Sequence, residues 1–184
     1  KEYTHIVMGS GSNDKEKYSP LASRETLDHS AMYIFAVALE DGEWHHEKSY
    51  SDERKNRKET IELWNKIETF ESERWNKKYY DEPDPLKKAQ GAEVEIILND
   101  GEKIVDQLEF ANAHPSGKTP FKRAGYINKM KPLFKDMVNN KEDVRFLNLV
   151  ENLATLEPEE VKQLNISCDK NKINFEKNSI KGIF

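Results

Sequence analysis

Apolar residues recur at helical spacing after Ser23: Leu27, Ala31, Ile34, Phe35 and Ala38 fall along one stripe. Ser23 can accept from exposed backbone donors, Glu25 suits the positive end of the helix dipole, and Gly42 marks a stop. The pattern predicts one helix over 23–41 with that stripe buried and a second face carrying His29, Tyr33 and Ala36. A second helix is expected over 52–67, with Ile61, Trp64 and Ile67 inward and its charged start exposed. Thr69 to Ser72 reads as a short strand, and Pro83 and Pro85 as part of a polar loop.

The pattern changes period at Ala92. Val94, Ile96 and Leu98 alternate with Glu93 and Glu95, and after Asn99-Asp100-Gly101 the apolar positions resume at Ile104, Leu108 and Phe110. Alternation on both sides of an Asp-Gly turn predicts a hairpin, with glutamates on a wet face. Residues 113–120 read as a loop. Helical patterning from Phe121 is expected to split at Pro132, because proline lacks the N–H that a helix interior uses. A helix from Lys141 to about Thr155 should bury Val144, Leu147, Val150 and Leu153, and Pro158 should open a short helix over 158–164. The opening 1–22, with Gly9-Ser10-Gly11-Ser12-Asn13-Asp14, reads as a flexible connector, and the last fifteen or so residues as irregular. The sum is α+β: helices around a small antiparallel sheet, followed by C-terminal helices.

Composition narrows the function classes. Of 184 residues, 34% are charged and 36% hydrophobic, which is polar for a domain of this size and suggests that the main core lies in a larger protein. The net charge of -5, with cations interspersed among acids, lacks the concentrated basic face that nucleic acid requires. No run approaches the roughly 18 apolar residues of a membrane span. Without a visible signal peptide, a cytoplasmic location is expected. Cys168 is the only cysteine, so neither an intrachain disulfide nor a cysteine cluster can form.

Candidate chemistry centres on the histidines. His45 and His46 are adjacent and lack ligand spacing, so an ordinary surface pair is the simpler reading; His5 has no context. His29 sits beside Asp28 with Tyr33 a turn away, where an imidazole could move a proton and a phenol orient a substrate oxygen; a buried structural histidine fits the same spacing. His114 opens a loop running to Arg123 with three cations, two hydroxyls and a glycine. Such a loop could wrap a polyanion or merely be solvated, and Lys118 is the residue best suited to a carboxylate. The three tryptophans read as packing residues.

The run from Ser23 to Gly42, built around Asp28-His29-Ser30, resembles a segment of the MmgE/PrpD family. So do the Asn99-Asp100-Gly101 hairpin and the Ala-His-Pro-x-Gly-x-x-Pro loop from Ala113. Trp44 to Tyr50 and the closing Gly182-Ile183-Phe184 look like its methylcitrate-dehydrating branch. The resemblance implies an α+β lid domain over 1–138 and a C-terminal helical extension over 139–184 that docks on a large helical domain outside this chain. It implies a cofactor-free hydro-lyase, with no iron–sulfur cluster, converting 2-methylcitrate to a methylaconitate in propionate breakdown. The implied partners are a tricarboxylate substrate, the missing helical domain and a second copy in a homodimer. His29 becomes the candidate acid/base, and Asp28, Tyr33 and Lys118 candidate substrate contacts. Related decarboxylases carry a tyrosine where Gly91 falls here, which weakens that alternative. Another dehydratase or isomerase of a similar acid, or a non-catalytic binding module with the lid fold, are the other readings.

Overall fold

A computed structural model describes residues 4–134, 137–169 and 171. The chain forms two compact units, 1–119 and 120–184. The class is α+β, with helices and one two-stranded antiparallel sheet among the described residues.

In the first unit the expected helix over 23–41 is broken in two. α1 spans Arg24–Asp28 and α2 spans Ala31–Asp41. His29 (φ -103°, ψ 17°) leaves α1, and Ser30 (φ -107°, ψ 98°) is extended. Each helix has its own serine cap: Ser23 Oγ accepts from the Thr26 amide and Ser30 Oγ from the Tyr33 amide, both at 3.2 Å. Ser30 wins over helix continuation because its hydroxyl also donates to the buried Lys17 carbonyl at 2.8 Å, so it satisfies two buried groups at once.

The break shifts the phase of burial. Leu27, Met32, Tyr33, Ala36 and Val37 form the core, whereas Ala31, Ile34, Phe35 and Ala38 are only half-buried. α3 (Asp52–Lys55) and α4 (Lys58–Trp64) replace the single helix expected over 52–67. Trp64 is fully buried, edge-on to Tyr33 with ring centroids 4.8 Å apart, and its Nε1 donates to the same Lys17 carbonyl at 2.9 Å.

The charged start of this region is not all exposed: Arg54 is 5% exposed. Its guanidinium donates to both Asp41 carboxylate oxygens at 2.8 and 3.1 Å, to Glu40 at 2.6 Å and to Thr60 Oγ1, while Thr60 donates to Glu40 at 2.7 Å. A buried arginine is tolerable here because α2 ends in two acids that neutralise it and accept its protons.

Residues 4–18 are docked rather than a free connector. Gly9 packs so close to Thr69 that a side chain would collide, and Ser10 Oγ and the Thr69 backbone exchange hydrogen bonds at 2.9 and 3.2 Å. Tyr18 Oη donates to the Ile67 carbonyl at 3.0 Å. No strand forms at 69–72; the chain runs from these side-chain bonds straight into α5, Glu73–Tyr80.

The hairpin is as expected: β1 (Ala92–Ile97) pairs with β2 (Lys103–Leu108), Ile96 opposite Ile104. Gly101, with φ 87°, closes the turn in the left-handed region that suits glycine. Only Val94 and Ile96 are half-buried, and β2 is exposed throughout. α5 is tied to the hairpin by Lys78–Glu109 at 2.6 Å and by Trp75, whose ring covers Gly91.

In the second unit α6 spans Arg123–Phe134 and runs through Pro132, contrary to the expected split; proline removes one hydrogen bond without ending the helix. α7 spans Asn140–Glu151, capped by Asn139, and α8 spans Pro158–Val161. On α7, Phe146, Leu147 and Leu149 are half-buried while Val144 and Val150 are exposed, so the expected inward stripe is rotated. Leu153, beyond α7, is exposed as well. The final irregular stretch and the Gly182-Ile183-Phe184 motif lie outside the described residues from 172 onward. No described helix is long and apolar enough to cross a membrane.

Candidate active site

The turn between α1 and α2 presents Asp28 and His29, both exposed, above the buried Ser30. Its geometry follows from the helix break. In a continuous helix the His29 amide would bond the Glu25 carbonyl. Here that amide turns to the Thr26 carbonyl at 3.1 Å, and the orphaned Glu25 carbonyl lies 3.0 Å from His29 Nδ1. A carbonyl can only accept, so Nδ1 carries the proton and a neutral His29 has its lone pair on Nε2. This histidine is neither mid-helix nor buried; it is an exposed imidazole with a fixed tautomer.

Asp28 Oδ1 accepts from Tyr50 Oη at 2.8 Å. Burial first, and then this bond, push the Tyr50 phenol above its ordinary range, so it stays a neutral donor. Tyr50 is 8% exposed and held on three sides: by Tyr33 at 5.9 Å, by Trp44 edge-on at 5.8 Å, and by the Arg24 guanidinium 5.5 Å from its ring centre. Arg24 also donates to the His46 carbonyl at 2.8 Å, tying α1 to residues 44–50. In that segment the His45 and His46 rings stack at 4.5 Å. His45 Nδ1 accepts from the Glu47 and Lys48 amides at 3.1 and 3.2 Å, which leaves the proton of a neutral His45 on Nε2.

The other candidates fall elsewhere. Tyr33 does not share an open face with His29. It is fully buried, its Oη donates to the Ser49 carbonyl at 2.5 Å, and burial raises its phenol to about 12. Lys118 is exposed on the 111–120 loop, which folds on itself through Thr119 N to Asn112 O at 3.1 Å. Among the described residues the side-chain bond leaving that loop runs from Ser116 Oγ to the Leu86 carbonyl, not to the Asp28–His29 turn. His114 stacks on Phe110 at 5.0 Å and accepts from the Ser116 amide at 3.0 Å. Gly117 is pressed against the Ala111 and Asn112 carbonyls, where a side chain would collide. Spacing did not reveal Tyr50 or Arg24 as members of the turn's surroundings; the Trp44–Tyr50 resemblance was the one signal pointing to that segment. No group of three or more histidine, cysteine or acidic side chains arranged to hold a metal is present among the described residues.

Residues 2–155 match the MmgE/PrpD C-terminal domain. The chain belongs to the MmgE/PrpD family. Both segments that meet at the Asp28–Tyr50 bond lie inside the match, as do the hairpin and the 113–120 loop. The family makes this a member of a dehydratase family, with the hydro-lyase type of chemistry that goes with it.

Proposed function

We propose that this chain is part of a 2-methylcitrate dehydratase and that His29 moves a proton in the reaction. The observation that carries the proposal is the bond between His29 Nδ1 and the Glu25 carbonyl, which leaves Nε2 as an outward base on an exposed turn. In the proposed step Nε2 takes the proton from the carbon next to a carboxylate, the C–H pair forms the new double bond, and the hydroxyl on the neighbouring carbon leaves as water after gaining a proton. Asp28 and Lys118 meet polar groups of the tricarboxylate, and the helical domain of the family architecture supplies the facing wall and the second proton-transfer group. Tyr33, being buried, supports the turn from below. A homodimer and a lid boundary near 138 belong to the same proposal.

The test is turnover of 2-methylcitrate by the complete protein carrying this chain, then by its His29→Ala variant. Loss of roughly 10²–10⁴-fold with unchanged circular dichroism is expected. Near-normal turnover by the variant would overturn the role of His29. An intact protein that ignores 2-methylcitrate but converts citrate or cis-aconitate would move the substrate within the family.

A further inference from the structure

We infer that Tyr50 is a positioning residue for the Asp28–His29 turn, so that the segment 44–50 is part of the working site; the inference rests on the reading of His29 given above. Asp28 and His29 close a turn on the surface whose backbone is held by His29 N to Thr26 O at 3.1 Å and Ser30 N to Leu27 O at 3.0 Å, bonds that leave the Asp28 side chain unoriented. From α1 itself, the Glu25 carbonyl orients only the His29 ring. The link that ties the acidic side of the turn to the core is Tyr50 Oη to Asp28 Oδ1 at 2.8 Å. A phenol is suited to this work because its ring can be clamped while its hydroxyl reaches outward. Tyr33, Trp44 and Arg24 provide that clamp. Tyr33 is itself fastened through Ser49, the residue next to Tyr50, so the clamp is anchored twice on the same stretch of chain.

The bond also assigns the two oxygens of Asp28 different tasks. Oδ1 is engaged by the phenol, and Oδ2 has no hydrogen-bond partner among the described residues. The carboxylate is therefore held by one oxygen, and the other, on an exposed residue, can accept from a substrate hydroxyl or carboxylic acid. Loss of the phenol oxygen frees the carboxylate to rotate, and a misplacement of about 1 Å at a reacting group can cost around 10²-fold.

The experiment is a double-mutant cycle on 2-methylcitrate turnover in the complete protein, using Tyr50→Phe, Asp28→Ala and both together, since alanine leaves no acceptor for the phenol. Tyr50→Phe keeps the ring and its packing. It should lower kcat about tenfold to a hundredfold with KM changed little, and the double variant should be no slower than Asp28→Ala alone. Should Tyr50→Phe not fold, Trp44→Leu loosens the clamp on the Tyr50 ring from an exposed position and should lower kcat with KM changed little, and full turnover by it would overturn the inference. Full turnover by Tyr50→Phe, or losses that multiply in the double variant, would overturn the inference. His29→Ala separates the two levels. If it retains turnover, the functional reading fails, whereas an inactive His29→Ala beside a fully active Tyr50→Phe overturns the role of Tyr50 alone.

Discussion

Replacing Ser30 with alanine removes the element that breaks the helix, and the cost can be worked from its bonds. Ser30 is fully buried, donates to Lys17 O at 2.8 Å and accepts from the Tyr33 amide at 3.2 Å. Loss of a helix cap costs about 0.5–2 kcal/mol. Loss of the second hydrogen bond adds about 0.5–1.5 kcal/mol. Lys17 O keeps Trp64 Nε1 at 2.9 Å, so it is not left bare, but the Tyr33 amide loses its acceptor. The sum is about 1–3.5 kcal/mol, with the buried site favouring the upper part of that range. Ser23 supplies an internal control, because it caps α1 at the same 3.2 Å from an exposed position where water can replace it. Ser23→Ala should therefore cost only about 0.5–1 kcal/mol. Urea unfolding of the protein carrying this chain, followed by tryptophan fluorescence, compares the two. Equal losses would refute the argument that burial and double bonding, rather than capping alone, hold the turn.

Arg54→Met should destabilise by about 2–4 kcal/mol, seen as a fall in Tm of roughly 5–15 °C, because it takes the buried cation from Glu40 and leaves Asp41 only Arg57 at 3.9 Å; a shift under about 1 °C would show the arginine to be dispensable. In the second unit the Arg145 guanidinium, then the Ser167 amide, hold Glu142 down to about 2 from 4.5. A carboxyl lowered in the folded state stabilises it fully above about 4.5, and that contribution fades as pH falls through about 2. Exchange protection of the Ser167 amide should follow that course in NMR, and protection lost already near pH 4 would contradict it.

The features legible in the sequence are those whose causes are local. The hairpin follows from alternation and from a glycine free to adopt φ 87°, all within twenty residues of chain. The caps at Ser23 and Gly42 follow from residue chemistry at a single position. The burial of Arg54 does not, because the acids that make it tolerable lie thirteen and fourteen positions earlier on another helix. Pro132 misled for a related reason: the rule describes a lost bond, and a helix can survive one lost bond.

The broken helix links the misread core to the candidate site. A periodic stripe from Leu27 to Ala38 assumes a continuous helix, and nothing between those positions announces that Ser30 will bond a carbonyl thirteen residues earlier. Once it does, the buried face changes: Met32, Tyr33, Ala36 and Val37 turn inward, and Ile34 and Phe35 are left half-buried. The same event withdraws the His29 amide from the Glu25 carbonyl and gives that carbonyl to the imidazole. A continuous helix would have filled the carbonyl with backbone and left the ring without its fixed tautomer. The core stripe was thus misplaced for the same physical reason that His29 is oriented, and restoring the regular helix would be expected to remove the orientation with it.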